Sequence, residues 1–485
     1  MKKLRVLATV LFVLATACAT VKTVSLSDKQ LKANLKKHIS TLASDQFEGR
    51  ETGTKGEQLA ADYIVTQFKE IGLKPKGEKE FIQNFPFTEG ANIGKGTQLY
   101  VNANSYKVNQ DFYPLQSSSS GIVTGYIARV GYGIYAPFLR HNDYDGKTNL
   151  TKKIFVIESS YPESKGAHNK FSDYDLRQRV EFAKMRGATA VIFINSDTTA
   201  DNPESDFIHR FTQTTIPVIF AKGDAAKLLK EGVVTNCTVG VDIQKIEKKG
   251  HNIIGCLNNN ANTTVVIGAH YDHLGYGGEG SLYSGEPAIH HGADDNASGT
   301  AALIELARAL KASSDKKNNY LFIALSGEEK GLLGSDYFVK HPTIDMKAVN
   351  YMINIDMVGR LKSGDEVLNI NGIGTSPAWI TAFDTSVINH VKIKTTISGV
   401  GPSDQTSFYL DSIPALQFSS GIMSGYHTTE DTENKINYDG EVSIVRIIMR
   451  AIDRLNNSGK IAFQKTDNAE VMPKLKVPTK GKRQN

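Results

Sequence analysis

Three short apolar runs, each leading into ionisable residues, constrain this 485-residue chain more than any other feature. They span 263–268, 320–325 and 349–355. Runs of strand length with so few polar residues read as strands buried on both faces, which requires a sheet covered by helices. The first leads into His270-Tyr271-Asp272-His273, the second into Ser326-Gly327-Glu328-Glu329, and the third into Asp356 of Asn354-Ile355-Asp356-Met357. Open α/β sheets keep their sites beyond the carboxyl ends of the strands. Two more segments join these. Gly292-Ala293-Asp294-Asp295-Asn296-Ala297-Ser298-Gly299 stands at the mouth of a helix predicted over 299–310, whose Ala302, Leu303, Leu306, Ala307 and Leu310 share one face. Tyr426-His427 follows a strand predicted at 415–418.

Each of these residues has an ordinary explanation when taken alone. Asp294 or Asp295 caps a helix, Glu328-Glu329 makes a charged turn, His270 is a core histidine and His427 a loop residue. Five such features at strand ends and helix mouths do not coincide by chance, and a metal site accounts for them jointly. Two histidines and three carboxylates are suitable zinc ligands. Two ions with three protein ligands each need six contacts, which five residues supply if one carboxylate bridges. Paired ions about 3.5–4 Å apart that clamp one water are a hydrolytic device. Of two adjacent glutamates, one can bind metal while the other takes the proton from the water. Asp272, two residues after His270, is placed to orient its imidazole.

The five motifs resemble the secreted di-zinc aminopeptidases, which share a fold with glutamate carboxypeptidase II, the transferrin receptor and glutaminyl cyclase. The resemblance runs over 31–110 and 248–456, and through Val358-Gly359-Arg360 after the third strand. It implies an α/β fold with a mixed, mostly parallel sheet between helices. It also implies two Zn2+ per chain, one on His270 and Asp356 and the other on Glu329 and His427, with Asp295 bridging. Glu328 would be the general base, and Tyr426 would stabilise the tetrahedral intermediate. Two departures bear on the substrate pocket: Gln405 stands where the family usually has His, and His273 and His290-His291 are extra imidazoles. The segments Phe182-Ala183-Lys184-Met185-Arg186-Gly187-Ala188 and Ile216-Pro217-Val218 resemble a protease-associated domain.

Peptides or proteins are the implied substrates, and the charge pattern bears on which end is held. Acids surround the motifs: Asp272, Glu279, Asp294, Glu328, Asp356 and Asp404. Arg360 is the one arginine within them, and none follows from 361 to 427. The acids favour a free ammonium, hence an aminopeptidase, with Asp404 and Arg360 as candidate substrate-binding residues. Arg360 still keeps a carboxypeptidase or dipeptidase open, since one arginine can hold a carboxylate through two hydrogen bonds. A non-catalytic binding protein of the same fold is disfavoured because every ligand and the base are present.

The chain divides by texture. Lys2, Lys3, Arg5 and the apolar 6–17 form an export signal, ending in Ala15-Thr16-Ala17 before Cys18. Either Cys18 carries a lipid anchor at a bacterial membrane, or the protein is released after an A-x-A cut; the cysteine favours the anchor. Export implies the cell envelope or secretion. Segment 18–28 is then a spacer, 29–116 and 246–460 the peptidase, 117–245 an insertion without ligand clusters, and 461–485 a basic tail. Helices are predicted over 29–42 and 55–71. A net charge of +5, from 56 basic and 51 acidic residues, is too weak to argue for nucleic acid. No apolar run reaches the roughly 20 residues of a membrane span. Three cysteines do not make a disulfide scaffold, although Cys237 and Cys256 are free either to pair or to stay separate thiols.

Overall fold

The computed structural model describes residues 26–162, 169–197, 199–204, 214–364, 366–383 and 391–466. The export signal, Cys18 and all but the first residues of the basic tail lie outside them. The chain forms two compact units, one of 1–85 with 250–485 and one of 86–249.

In the larger unit the two predicted opening helices are present. Helix α1 (Asp28–Leu42) starts where the Ser27 hydroxyl accepts from the Gln30 amide, and it buries Leu31, Leu35, Ile39 and Leu42. Helix α2 (Lys55–Ile71) is capped by Thr54 and closed by Gly72 at φ 80°. Both pack against the helix predicted to follow the Asp-Asp motif, α3 (Gly299–Ala312), of which ten residues are buried.

The sheet beneath them has nine strands: β1 (Lys74–Pro75), β2 (Ile82–Ile93), β3 (Ile243–Leu257), β4 (Thr264–His270), β5 (Asn319–Leu325), β6 (Val349–Ile355), β7 (Val367–Asn371), β8 (Lys392–Thr396) and β9 (Ala415–Ser419). Their order is β1-β3-β5-β4-β6-β9-β7-β8, with β2 paired to β3. The centre, β5-β4-β6-β9, is parallel; β3 joins β5 and β7 joins β9 antiparallel. Strands β4 and β6 are buried at every residue, which is why they read as unbroken apolar runs. The long helix α4 (Tyr438–Leu455) carries a buried stripe that includes Ile444, Ile448 and Ile452 and joins the same core. No helix among the described residues is long and apolar enough to cross a membrane.

The smaller unit contains a five-stranded sheet in the order 112–114, 218–221, 188–194, 153–158, 127–129, with helices Leu176–Met185 and Gly223–Glu231. A separate antiparallel sheet joins 98–101 to 237–241 and 121–125. The expected insertion boundary at residue 117 is corrected here: the unit begins at Pro86. Gln98–Val101 pairs with Cys237–Val241, about 140 residues away, and a pairing over that distance has no local sequence signature. Cys237 and Cys256 fall in different units and both are free thiols, so the pairing left open by the sequence does not occur.

Candidate metal centre

Parallel pairing sets three strand ends side by side. His270 on β4 stands opposite Leu325, the last residue of β5, so Ser326-Gly327-Glu328-Glu329 leaves the sheet next to it. On the other side β6 brings Asp356, and β9, paired to β6 through Phe418 and Ile355, leads towards His427.

Asp295 is delivered by the turn ahead of α3, which is stitched to the chain after β6. Asn296 donates to the Ile355 carbonyl at 2.9 Å and accepts from the Gly299 and Met357 amides. The Ser298 hydroxyl accepts from the Val358 amide, and Asp294 Oδ1 accepts from the Gly359 amide at 2.8 Å. Gly299 is required here, because a Cβ would lie 2.3 Å from the Ile355 carbonyl oxygen.

The donor atoms form two clusters joined through Asp295. In the first, His270 Nε2 lies 3.4 Å from Asp295 Oδ1 and 3.2 Å from Asp356 Oδ1. In the second, His427 Nε2 lies 3.2 Å from Asp295 Oδ2 and 3.2 Å from Glu329 Oε2. Each oxygen of Asp295 thus faces a different cluster, as a bridging carboxylate must. A tetrahedral ion with bonds of about 2.0–2.1 Å keeps its ligand atoms about 3.3–3.4 Å apart, so both clusters fit zinc.

The imidazoles are held in the tautomer that a metal needs. His270 Nδ1 lies 3.2 Å from the Asp272 carbonyl oxygen, and His427 Nδ1 lies 2.9 Å from that of Gly280. A carbonyl can only accept, so each Nδ1 carries a proton, and each Nε2 is the nitrogen left facing the cluster, free to bind a metal once its own proton is displaced. The Asp272 carboxylate, expected to orient His270, stands 3.6 Å from the same Nδ1, beyond the nearer backbone carbonyl. It also accepts from the Thr52 hydroxyl at 2.9 Å and from the Glu328 and Glu329 amides at 3.3 and 3.4 Å. Asp272 therefore shapes the turn that carries both glutamates.

Adjacent Glu328 and Glu329 stand in opposite environments. Burial, with Glu329 and Asp356 nearby, holds Glu328 well above the usual carboxylate range against the pull of His270. Burial and Asp295 also push Glu329 upward, but its hydrogen bonds with His273 and His427 outweigh them and keep it at about 2. Burial lowers His427, yet Asp295 and Glu329 raise it to about 11. The Tyr426 ring stacks on that of His427 at 3.7 Å between centroids.

Other predicted residues are placed as follows. Arg360 is half-buried and donates to the Ser424 carbonyl at 2.7 Å, which ties it to the loop leading into Tyr426. Asp404, expected to bind substrate, is 0% exposed, and burial pushes its carboxyl up to about 7. Gln405 donates to Gln417, which in turn donates to Asp356 Oδ2 at 3.1 Å, so it acts on a ligand through one intermediary. His290 Nε2 pairs with the Ser281 hydroxyl at 2.8 Å, and His291 with Asp45, so neither imidazole joins a cluster.

Two residues escaped the sequence reading. Arg50 is fully buried and donates to the carbonyls of Leu42, Tyr271, His291 and Gly292 at 2.7–2.8 Å. Burial lowers its pKa to about 10, against the pull of Asp431, Asp295, Asp272 and Glu329, so at neutral pH it is a fixed cation behind the acids. The Asp431 carboxylate accepts from the Asp294 and Asp295 amides at 3.0 Å. Arg50 lies in a loop marked only by glycines. The one sequence signal for Asp431 is its place four positions after His427.

Two His-carboxylate clusters sharing one carboxylate, at the carboxyl ends of a parallel sheet, form a site able to hold metal. Residues 252–452 match the model of peptidase family M28. The chain is 24% identical to Aminopeptidase YwaD of Bacillus subtilis over 86% of its own length and 84% of that protein's. It is also 24% identical to the Probable lipoprotein aminopeptidase LpqL of Mycobacterium tuberculosis, over 84% and 76%. The aminopeptidase of Aneurinibacillus sp. strain AM-1 has a similar fold, with a TM-score of 0.52 at 23% identity, covering 90% of this chain and 97% of that one.

Proposed function

We propose that this protein is a zinc-dependent aminopeptidase that removes N-terminal residues from peptides with two ions per chain. The observation that carries the reading is Asp295, whose two oxygens face separate His-carboxylate clusters. The first ion would be held by His270, Asp295 and Asp356, the second by Asp295, Glu329 and His427. When bound, zinc polarises the scissile carbonyl and lowers the pKa of water. Glu328, held on the turn by Asp272, takes the proton from the attacking water and passes it to the leaving amine. The Tyr426 hydroxyl, on a ring fixed against His427, donates to the oxyanion. His270 and His427 would offer Nε2 to the ions, because their Nδ1 protons are committed to carbonyls.

Polarity follows from charge. The acids around the site favour a substrate ammonium, whereas Arg360 already donates to Ser424. Two peptides of one sequence test this, one acetylated at the amino end and one amidated at the carboxyl end. Cleavage of the amidated peptide alone is expected. Release of a C-terminal residue from the acetylated peptide would overturn the aminopeptidase reading and leave the metal chemistry standing.

Export rests on the basic start and the apolar 6–17, with Cys18 as the lipid anchor; the name of the similar LpqL protein points the same way. Labelling with a fatty-acid analogue in a bacterial host should mark the native chain and not Cys18→Ser. We read the smaller unit as a protease-associated domain with no chemistry of its own, on its β/α layout and the segments at 182–188 and 216–218.

A further inference from the structure

His273 is the one extra imidazole that reaches the clusters. It follows His270 by three positions, just past the end of β4, and is 1% exposed. Its Nδ1 lies 2.9 Å from Glu329 Oε1 and 3.9 Å from Asp295 Oδ2. The ring is held on two sides. It meets His427 edge-on at 5.8 Å, and a Cβ at Gly292 would come within 2.5 Å of its Cδ2.

We propose that His273 is a positioning residue for the second ion: its Nδ1–H donates to Glu329 Oε1 and so leaves Oε2 as the oxygen presented beside His427 and Asp295. The inference rests on the two-metal reading above. Distances separate this role from direct ligation. The donors of both clusters stand 3.2–3.4 Å apart, whereas 2.9 Å is a hydrogen-bond length and 3.9 Å is too long for a tetrahedral edge. The far side of the ring agrees. His273 Nε2 is buried and has no hydrogen-bond partner among the described residues. Ligation through Nδ1 would put a proton there, as an orphaned donor. Donation from Nδ1 leaves only a lone pair, the kind of group more readily left unpaired. His270 and His427, by contrast, give their spare N–H to carbonyls. Glu329 is thereby gripped at both oxygens, one by a hydrogen bond and one facing the ion.

The test measures metal rather than turnover. Full-length wild type, His273→Ala and His273→Asn are titrated with Zn2+ against a chromophoric chelator, with circular dichroism as the folding control. The Asn side-chain amide places an N–H where the Nδ1–H stands. His273→Ala should weaken the second ion about 10–100-fold, the usual cost of losing a ligand's supporting hydrogen bond, and leave the first in place. His273→Asn should restore affinity close to wild type, and the Co2+-loaded protein should keep the wild-type absorption spectrum. Should Ala prevent folding, Asn decides alone. Asn as weak as a folded Ala, or a changed cobalt spectrum in Asn, would make the imidazole itself a ligand and overturn the proposal. So would two folded variants that bind both ions as wild type does. Wild type that binds a single ion would instead overturn the two-metal reading.

Discussion

Glu328 and Glu329 are neighbours in sequence, alike in chemistry and opposite in surroundings. Their amides share one carboxylate, Asp272, and their side chains diverge: Glu329 lies between two imidazoles, while around Glu328 burial and the acids Glu329, Asp356 and Asp404 outweigh His270. Glu328→Gln should therefore keep both ions by elemental analysis and lower the rate at least about 100-fold, the scale of a lost general base. Glu329→Gln should lose zinc; exchanged outcomes would reverse the assignment. Asp295→Ala should disturb both ions, while His270→Ala weakens mainly one, read as zinc per chain. The five proposed ligands were legible as a group because each is an ionisable residue at the end of an apolar run or the mouth of a helix. Arg50, Asp431 and the supporting role of His273 were not. Arg50 acts through carbonyls as far as 242 positions away, and sequence carries no trace of such a contact.

At the level of elements, β4, β5 and β6 could be read because burial on both faces leaves few polar residues in them, and α3 because its apolar residues recur on one face. The limits of the inserted unit could not, since they depend on strands paired across most of its length. Helix α3 joins the two kinds of information. Its first residue, Gly299, lies against the Ile355 carbonyl, and its Asp295 turn hangs from the same contact. Gly299→Ala should cost about 1–3 kcal/mol in thermal or denaturant unfolding, the range for forcing extra atoms into a packed site, and should weaken zinc binding with it. Further along, Glu305 is fully buried and meets His38, Asn34 and Arg308 at 2.8–3.2 Å. Burial alone would raise its pKa, but these partners outweigh it and hold the value below 4.5. The stabilisation is therefore complete above 4.5 and fades as the pH falls below it towards the lowered folded value. Melting temperature followed from pH 6 to pH 3 (about the span of that titration) should show a shallower acid limb in Glu305→Gln.

For the molecule as a whole, every proposed ligand lies in the unit formed by 1–85 and 250–485. Replacing 86–249 by a short linker should leave a folded larger unit that still binds zinc; loss of zinc from a folded deletion protein would show that the smaller unit contributes to the site. The ligands themselves come from five separate stretches between His270 and His427, four leaving different strands and one preceding α3. Ions seated there would tie together strand ends that the unfolded chain scatters. Zinc that binds the native state and not the unfolded chain adds about 2.7 kcal/mol of stability at a free concentration a hundredfold above its dissociation constant. Chelation should lower the melting temperature and open the chain to added protease. For a peptidase at work among other proteases, zinc supply would then govern how long the molecule survives as well as how fast it cuts.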